Sequence, residues 1–403
     1  MKKIRTSLLL VASALCMTAM TGCGTKKGEK AKDPSELKVG LILLHPAASS
    51  TYDKNFREAF EAAQQKLGFQ AVIKENIDES DECQTTAEEM AEQGCDIVFA
   101  DSFGHEDYMI AAARNYPDTL FCHATGVQAA SVNLPNFVNA FASIYEGRYL
   151  AGVTAGLKLQ EMYGSGDGAV SDVNAKIGYV GAFPYAEVKS GYTSFFLGVR
   201  SIVPNATMDV TFTKSWYDEN AERTGAELLI SRGATLISQH ADSYGAPNAC
   251  EAANIPNVSY NGSTLSHCPK TFLVSSRINW QPYYEHVINN RCEGKDVELD
   301  YVGSFATGGV ELTEFSPNCA EGTAAKVNAI KQELIDGTRH VFDVDAFTVN
   351  GAAPTEASVA PNKQYTYDYP EGTKFLENGY YHESEFRSAP SFDVDIDGIT
   401  ILG

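Results

Sequence analysis

KVGLILLHPAASSTYDKNFREAFEAAQQKLGFQAVI, residues 38–73, contains the pattern from which the architecture of the whole chain can be inferred. Lys38 to Leu44 is a short, almost unbroken apolar run without helical spacing, which predicts a strand buried on both faces. His45 to Asp53 is a loop of Ser and Ala with one Pro. Phe56, Phe60, Ala63 and Leu67 then fall on one helical face, and Gly68 ends that helix. Phe69 to Ile73 is a second strand. Further along, the alternation repeats: a helix from Thr85 to Gln93, a strand from Asp96 to Ala100, a helix, and a strand from Leu120 to Ala124. Strands alternating with helices of this length predict a parallel sheet covered on both faces.

The rhythm restarts at Lys176. Strands are expected at Ile177–Val180, Met208–Thr213, Thr235–His240, Val258–Asn261 and Leu273–Arg277. Helices are expected through Val188 and Val199, from Glu219 to Ser231, through Tyr283 and Val287, and from Ala324 to Leu334. The fold class is therefore α/β, with two doubly wound parallel-sheet lobes. The expected division is 37–142 plus 277–305 for the first lobe and 143–276 plus 306–344 for the second. Residues 345–403, rich in Pro, Gly and Asp, are expected to wrap the lobes as an appendage. Gly164 to Gly168 is glycine-rich but follows a helix and lacks the Lys of a phosphate loop, so it is read as the loop leading into the second lobe.

The 403 residues suit two lobes, and 44% apolar with 21% charged residues is a globular composition. A net charge of −21 argues against nucleic acid as a partner, because phosphate binding needs clustered Lys and Arg. Residues 1–22 read as a signal peptide: Lys2, Lys3 and Arg5, then an apolar run too short for a membrane span, ending in Met20-Thr21-Gly22-Cys23. That ending resembles a bacterial lipobox, in which the Cys is diacylated and becomes the mature N-terminus. Residues 23–36 then form a polar tether, and the protein is expected on the outer face of the membrane, held by lipid alone. Seven cysteines remain beyond Cys23, an odd number with no C-x-x-C spacing, so buried thiols and one or two disulfides both stay open. No metal or cofactor is called for.

In open parallel sheets, ligands meet the loops at the carboxyl ends of strands. Those loops carry aromatic rings and neutral or acidic hydrogen-bonding groups. Tyr52, Ser102, Phe103, Phe183, Trp216, Asp242, Asn261 and Trp280 are the expected ligand contacts. Such a set suits a flat polar heterocycle, with rings stacking on its faces and Asp, Asn and Ser reading its edge. An esterase would need a G-x-S-x-G elbow and a nucleosidase a carboxylate cluster; the sequence shows neither pattern. A membrane sensor that presents bound ligand would use the same cleft as an importer subunit.

Several stretches resemble the basic membrane protein family of solute-binding lipoproteins, in particular its purine-binding subgroup. They are Phe99–Gly104, Tyr116–Asp118, Phe121–Gly126, Tyr145–Gly152, Lys176–Pro184, Ser215–Asp218, Gln239–Ser243 and Asn279–Tyr284. The resemblance implies a type I periplasmic-binding-protein fold with a three-crossing hinge. It also implies a purine base or nucleoside held between the lobes, and a monomer that hands this solute to the permease subunits of an ABC importer. Two differences stand out. Tyr52 occupies a place where the subgroup usually has Trp. Tyr260-Asn261-Gly262-Ser263 stands where it usually has Gln-Asp-Ser-Asp, so two carboxylates are absent there. Replacing Cys23 by Ala is expected to move the protein from the membrane fraction to the soluble one on cell fractionation; unchanged retention would remove the lipid anchor.

Overall fold

The computed structural model describes residues 32–361 and 369–402. The signal peptide and Cys23 lie outside the described residues. From Lys32 onward the chain already belongs to the folded body. The Lys32 N–H donates to the Cys292 carbonyl at 3.0 Å, and Pro34–Glu36 form a 3-10 turn capped by Asp33. The stretch expected as tether therefore joins the fold before its end.

The first half runs β1 (Lys38–Ile42), α1 (Thr51–Leu67), β2 (Gln70–Lys74), α2 (Asp81–Glu92), β3 (Ile97–Ala100), α3 (Glu106–Asn115), β4 (Leu120–Ala124), α4 (Ala129–Val132) and β5 (Phe137–Ala142). A long helix α5 (Ile144–Tyr163) leads to the second half: β6 (Lys176–Gly181), α6 (Ala186–Arg200), β7 (Thr207–Phe212), α7 (Glu219–Ser231), β8 (Ile237–His240), α8 (Gly245–Ala253), β9 (Asn257–Tyr260) and β10 (Phe272–Ile278). The chain continues through α9 (Gln281–Glu293), β11 (Asp300–Gly303), β12 (Val310–Leu312), α10 (Thr323–Ile335), α11 (Glu356–Val359), β13 (Leu376–Glu377), β14 (Tyr380–Tyr381) and β15 (Ile399–Ile401).

Two sheets result. The first has the order β2-β1-β3-β4-β5-β11 and is parallel throughout. The second has the order β15-β7-β6-β8-β9-β10-β12, with only β12 antiparallel. In both sheets the strand order reverses beside the first strand, at β1/β3 and at β6/β8. There the loops leave on opposite faces and a crevice opens. The chain passes from one sheet to the other three times: after β5, after β10 and after β11. Strands β3, β4 and β5 are buried along their whole length, which is why β3 and β4 read as apolar runs. Strand β5 escapes that reading because Asn139 interrupts it. The Asn139 amide is tolerated inside because it donates to the buried Glu106 carboxylate at 3.0 Å.

The C-terminal segment does more than wrap. Strand β15 pairs in parallel with β7, extending the second sheet, while Phe392, Val394 and Ile396 enter the core. Lys189 on α6 bridges Asp393 and Asp395, each at 3.0 Å. The Ser388 N–H donates to Asp300 on β11, the edge of the first sheet, at 2.8 Å. Among the described residues no helix is long and apolar enough to cross a membrane.

Helices α5 and α6 pack glycine to glycine. A methyl at Gly198 would collide with the Tyr149 carbonyl, and one at Gly152 with the Phe195 carbonyl, so the backbones could not approach as they do. Gly198→Ala is expected to cost about 1–3 kcal/mol or more by forcing the helices apart, read as a lowered melting temperature. Gly166→Ala, where nothing lies within 4 Å, should stay within about 0.5 kcal/mol of the parent. Equal melting temperatures for the two variants would contradict this packing.

Candidate functional site

The carboxyl ends of the strands of both sheets meet around one cavity. It is lined by Leu44, Tyr52, Ser102, Phe103 and Thr125 from the first half and by Glu187, Trp216, His240, Asp242 and Tyr260 from the second. The side chains stand almost closed on one another, leaving a cavity of only about 20 Å³.

The first wall is built from β1, β3 and β4. Beyond β1 the chain turns into α1, where the Ser50 side chain caps the helix by accepting from the Asp53 N–H. Asp53 in turn accepts the His45 N–H at 2.8 Å and the Ser50 hydroxyl at 2.5 Å. That closed turn presents Tyr52, whose ring rests on Phe56 and whose hydroxyl donates to the Asp101 carbonyl at 2.6 Å. Asp101 itself is fully buried and accepts the Leu44 N–H. Burial, then the neighbouring charge of Asp53, pushes the Asp101 carboxyl well above the ordinary range. Burial also opposes charge on Asp53, but hydrogen bonds from His45 and Ser50 outweigh it and hold that group low. The two neighbouring carboxyl groups are thus driven in opposite directions, Asp101 up and Asp53 down. After β4 comes Thr125, a β-branched residue at φ +67°. This is a strained backbone for such a side chain, costing about 1–3 kcal/mol. It is held by the bond from the Thr125 N–H to the Ala140 carbonyl and by Glu106, whose carboxylate accepts the N–H groups of Val127 and Gln128 at 2.6 and 2.7 Å. The strain turns a buried Thr125 hydroxyl without a hydrogen-bond partner into the cavity wall.

The second wall is mostly aromatic and acidic. Phe183 and Tyr185 stack 5.0 Å apart at 8°, and Trp216 meets Phe183 edge-on at 5.1 Å. Phe103 of the first wall reaches Tyr185 of the second at 5.7 Å. The Arg148 guanidinium lies 3.3 Å from the centre of the Tyr260 ring and donates to the Gln239 carbonyl. Burial pushes the His240 imidazole well below its ordinary value, helped by Arg148, so it is neutral. Its Nε2 lies 3.4 Å from Glu187. Asp242 is 5% exposed, and among the described residues its carboxylate has no hydrogen-bond or ion-pair partner. Burial, then the charges of Asp53, Glu222 and Glu187, raise its carboxyl well above the ordinary range. A donor from a bound solute would relieve that cost.

Of the residues expected from sequence, Tyr52, Ser102, Phe103, Trp216 and Asp242 line the cavity. Phe183 stands behind Trp216. Asn261, at φ +62°, is buried one residue beyond Tyr260. Its N–H donates to the Ser276 carbonyl, and its side-chain amide nitrogen is unpaired and off the lining. Trp280 is not in the cavity. The start of α9 turns it into the first lobe, where it stacks on Phe56 at 4.4 Å and is 2% exposed, so it supports Tyr52 only through Phe56. Sequence reasoning missed Leu44, Thr125, Glu187, His240 and Tyr260 as lining residues. Glu187 sits in the first turn of α6, where a carboxylate is ordinary helix chemistry. His240 and Tyr260 are the last residues of β8 and β9, a position that does signal the crevice.

The Glu187 carboxyl is raised to about 7 by burial, against the pull of Arg148. The folded protein therefore holds a proton that the unfolded chain releases from about pH 4.5 upward. On this account stability is greatest below that pH and falls as pH rises towards 7. Glu187→Gln should raise the melting temperature at pH 8, by at most a few kcal/mol of stability, and make no difference at pH 4.5. Parallel pH curves for variant and parent in scanning calorimetry would contradict it.

Residues 37–341 match the model of a family described as ABC transporter substrate-binding protein PnrA-like. A putative ABC transporter glucose-binding protein of Haloferax volcanii is 31% identical over 64% of this chain and 62% of its own length, so the match spans less than two thirds of that relative. A purine-binding protein of Brucella abortus is 30% identical over 66% of this chain and 72% of its own. A solved structure of an ABC transporter solute-binding protein from Conexibacter woesei superposes with a TM-score of 0.61 at 19% identity, covering 75% of this chain and 98% of that one. At that identity the likeness concerns the fold: two parallel-sheet lobes of the type I periplasmic-binding kind.

Proposed function

The chain belongs to the PnrA-like family of ABC transporter substrate-binding proteins, and on that basis we propose that it captures a purine base or nucleoside between its lobes and delivers it to an importer. The working state is a lipoprotein monomer, anchored through Cys23 on the extracytoplasmic face, that docks on the permease subunits. It carries no cofactor and performs no chemistry on the solute.

The relatives' names point to two solute classes, a hexose and a purine. The observation that carries the purine reading is the unpartnered Asp242 carboxylate inside a cavity walled by Tyr52, Phe103, Trp216 and Tyr260. A flat ring system offers π-faces to both walls and N–H groups to a carboxylate on its edge. A hexose presents hydroxyls around its whole rim and needs donors as well as acceptors to match them. Four of the ten lining residues are aromatic rings, Tyr52, Phe103, Trp216 and Tyr260, drawn from both walls, and they favour the heterocycle. Binding would also offset the cost of leaving Asp242 desolvated and unpaired.

Stacking of a base on an aromatic ring contributes about 1–3 kcal/mol, and leaving a buried ligand donor unpaired costs about 1–3 kcal/mol. Trp216→Ala and Asp242→Ala are each expected to weaken purine binding about ten- to a hundredfold with the fold intact. The measurement is calorimetry and thermal shift with adenine, guanine, hypoxanthine, their nucleosides, glucose and amino acids. Binding of glucose with no purine bound would overturn the purine assignment and leave the solute-binding one standing.

A further inference from the structure

Glu79 lies outside the cavity, exposed in the turn between β2 and α2. One of its carboxylate oxygens accepts two hydrogen bonds, from the Ser102 hydroxyl at 2.5 Å and from the Gly104 N–H at 2.8 Å. The same turn makes a further bond to this loop: the Ile77 carbonyl lies 2.9 Å from His105 Nε2. His105 Nδ1 accepts the Ser102 N–H at 3.4 Å, so the imidazole donates through Nε2. The Ser102 carbonyl is taken by His123 at 2.6 Å. A methyl on Gly104 would collide with the Glu79 carboxylate, so the carboxylate occupies a place that only glycine leaves open.

The consequence concerns protons. A carboxylate only accepts, so the Ser102 hydroxyl must spend its single proton on Glu79. What Ser102 turns to the cavity is oxygen lone pairs. The Tyr52 hydroxyl is in the same position, with its proton committed to the Asp101 carbonyl. Both hydroxyls of this wall that have a fixed proton therefore accept and do not donate. Glu79 is the only one of the two controlling acceptors that is a side chain, and so the only one that substitution can remove.

We propose that Glu79 is a specificity-determining positioning residue: by holding the Ser102 proton from outside the cavity, it makes this wall select solutes that present N–H or O–H donors to it. The inference rests on the reading that the cavity takes the solute, and deepens it. Among purines it favours a base that carries an exocyclic amino group over the same base without it.

The test uses the whole protein and matched pairs that differ only in that amino group: adenine against unsubstituted purine, and guanosine against inosine. The parent should prefer the amino-bearing member of the pair. Glu79→Ala frees the Ser102 hydroxyl to turn and should narrow the Kd ratio about three- to tenfold, the range of one neutral hydrogen bond. Glu79→Gln, whose amide oxygen accepts the same two bonds, should restore the parent ratio. Gly104→Ala, which displaces the carboxylate, should copy Glu79→Ala. A parent without preference, or a Glu79→Ala variant that weakens both members equally, overturns the proposal. If glucose binds and purines do not, the purine reading fails separately. The comparison then runs on glucose and its deoxy analogues, with the same narrowing expected.

Discussion

The first N–H groups of an α-helix have no partner within the helix. In α1 the N–H of Thr51 finds one in the other lobe, donating to the backbone carbonyl of Asp242 at 2.9 Å. The Asp242 N–H donates in turn to the Trp216 carbonyl at 3.0 Å. This short backbone relay joins the start of α1, which bears Tyr52, to the two second-lobe residues best suited to meet a ring. Its reach sets the distance between the walls. The Asn55 amide, one turn along the same helix, adds a second tie to the Ile278 carbonyl at 2.6 Å, at the chain's second passage between the sheets. The placement of the cavity aromatics depends on these few bonds, because the rings themselves are non-directional and would pack in many arrangements.

A cavity closed in this way must tolerate carboxyl groups without water, and it does so by several routes. Asp53 keeps its charge through hydrogen bonds from His45 and Ser50. Asp101 is pushed towards its neutral form by burial. Glu106 satisfies itself on loop N–H groups and Asn139. Asp242 has none of these supports, and it is the group aimed at the solute. The same scarcity of compensating donors that makes Asp242 costly makes it selective, since only a ligand that offers donors removes the cost. Arg148 tempers the field from beneath Tyr260 without entering the cavity.

The match to the family ends at residue 341, and the remaining C-terminal segment is integrated rather than appended. Strand β15 extends the second sheet, Phe392 stacks on Phe342 at 4.3 Å, and Glu383 is buried under the backbone N–H groups of Ser391 and Phe392. Phe342 also touches Tyr145, one residue into α5, where the chain first passes between the sheets. The segment thus rests on the second lobe, at the first passage and, through Ser388 and Asp300, on the edge of the first sheet.

The alternation of apolar runs with amphipathic helices was enough to read two parallel-sheet modules, and strand ends were enough to bring Tyr52, Ser102, Phe103, Trp216 and Asp242 to one crevice. These are local properties: periodicity belongs to the strand or helix, and the carboxyl end of a parallel strand opens to the crevice wherever the strand sits. Other features are not local. Strand β5 holds Asn139 inside because Glu106, thirty-three positions earlier, meets it. Thr125 adopts a positive φ because the same Glu106 grips the residues after it. Trp280 turns inward because Phe56, more than two hundred positions away, offers a face to stack on. Glu79 governs Ser102 across twenty-three positions with no pattern to announce it. Which elements form, and where their ends point, was legible in the order of residues. Which way each loop side chain turns was not, because that choice is set by partners the chain brings together only after it has folded.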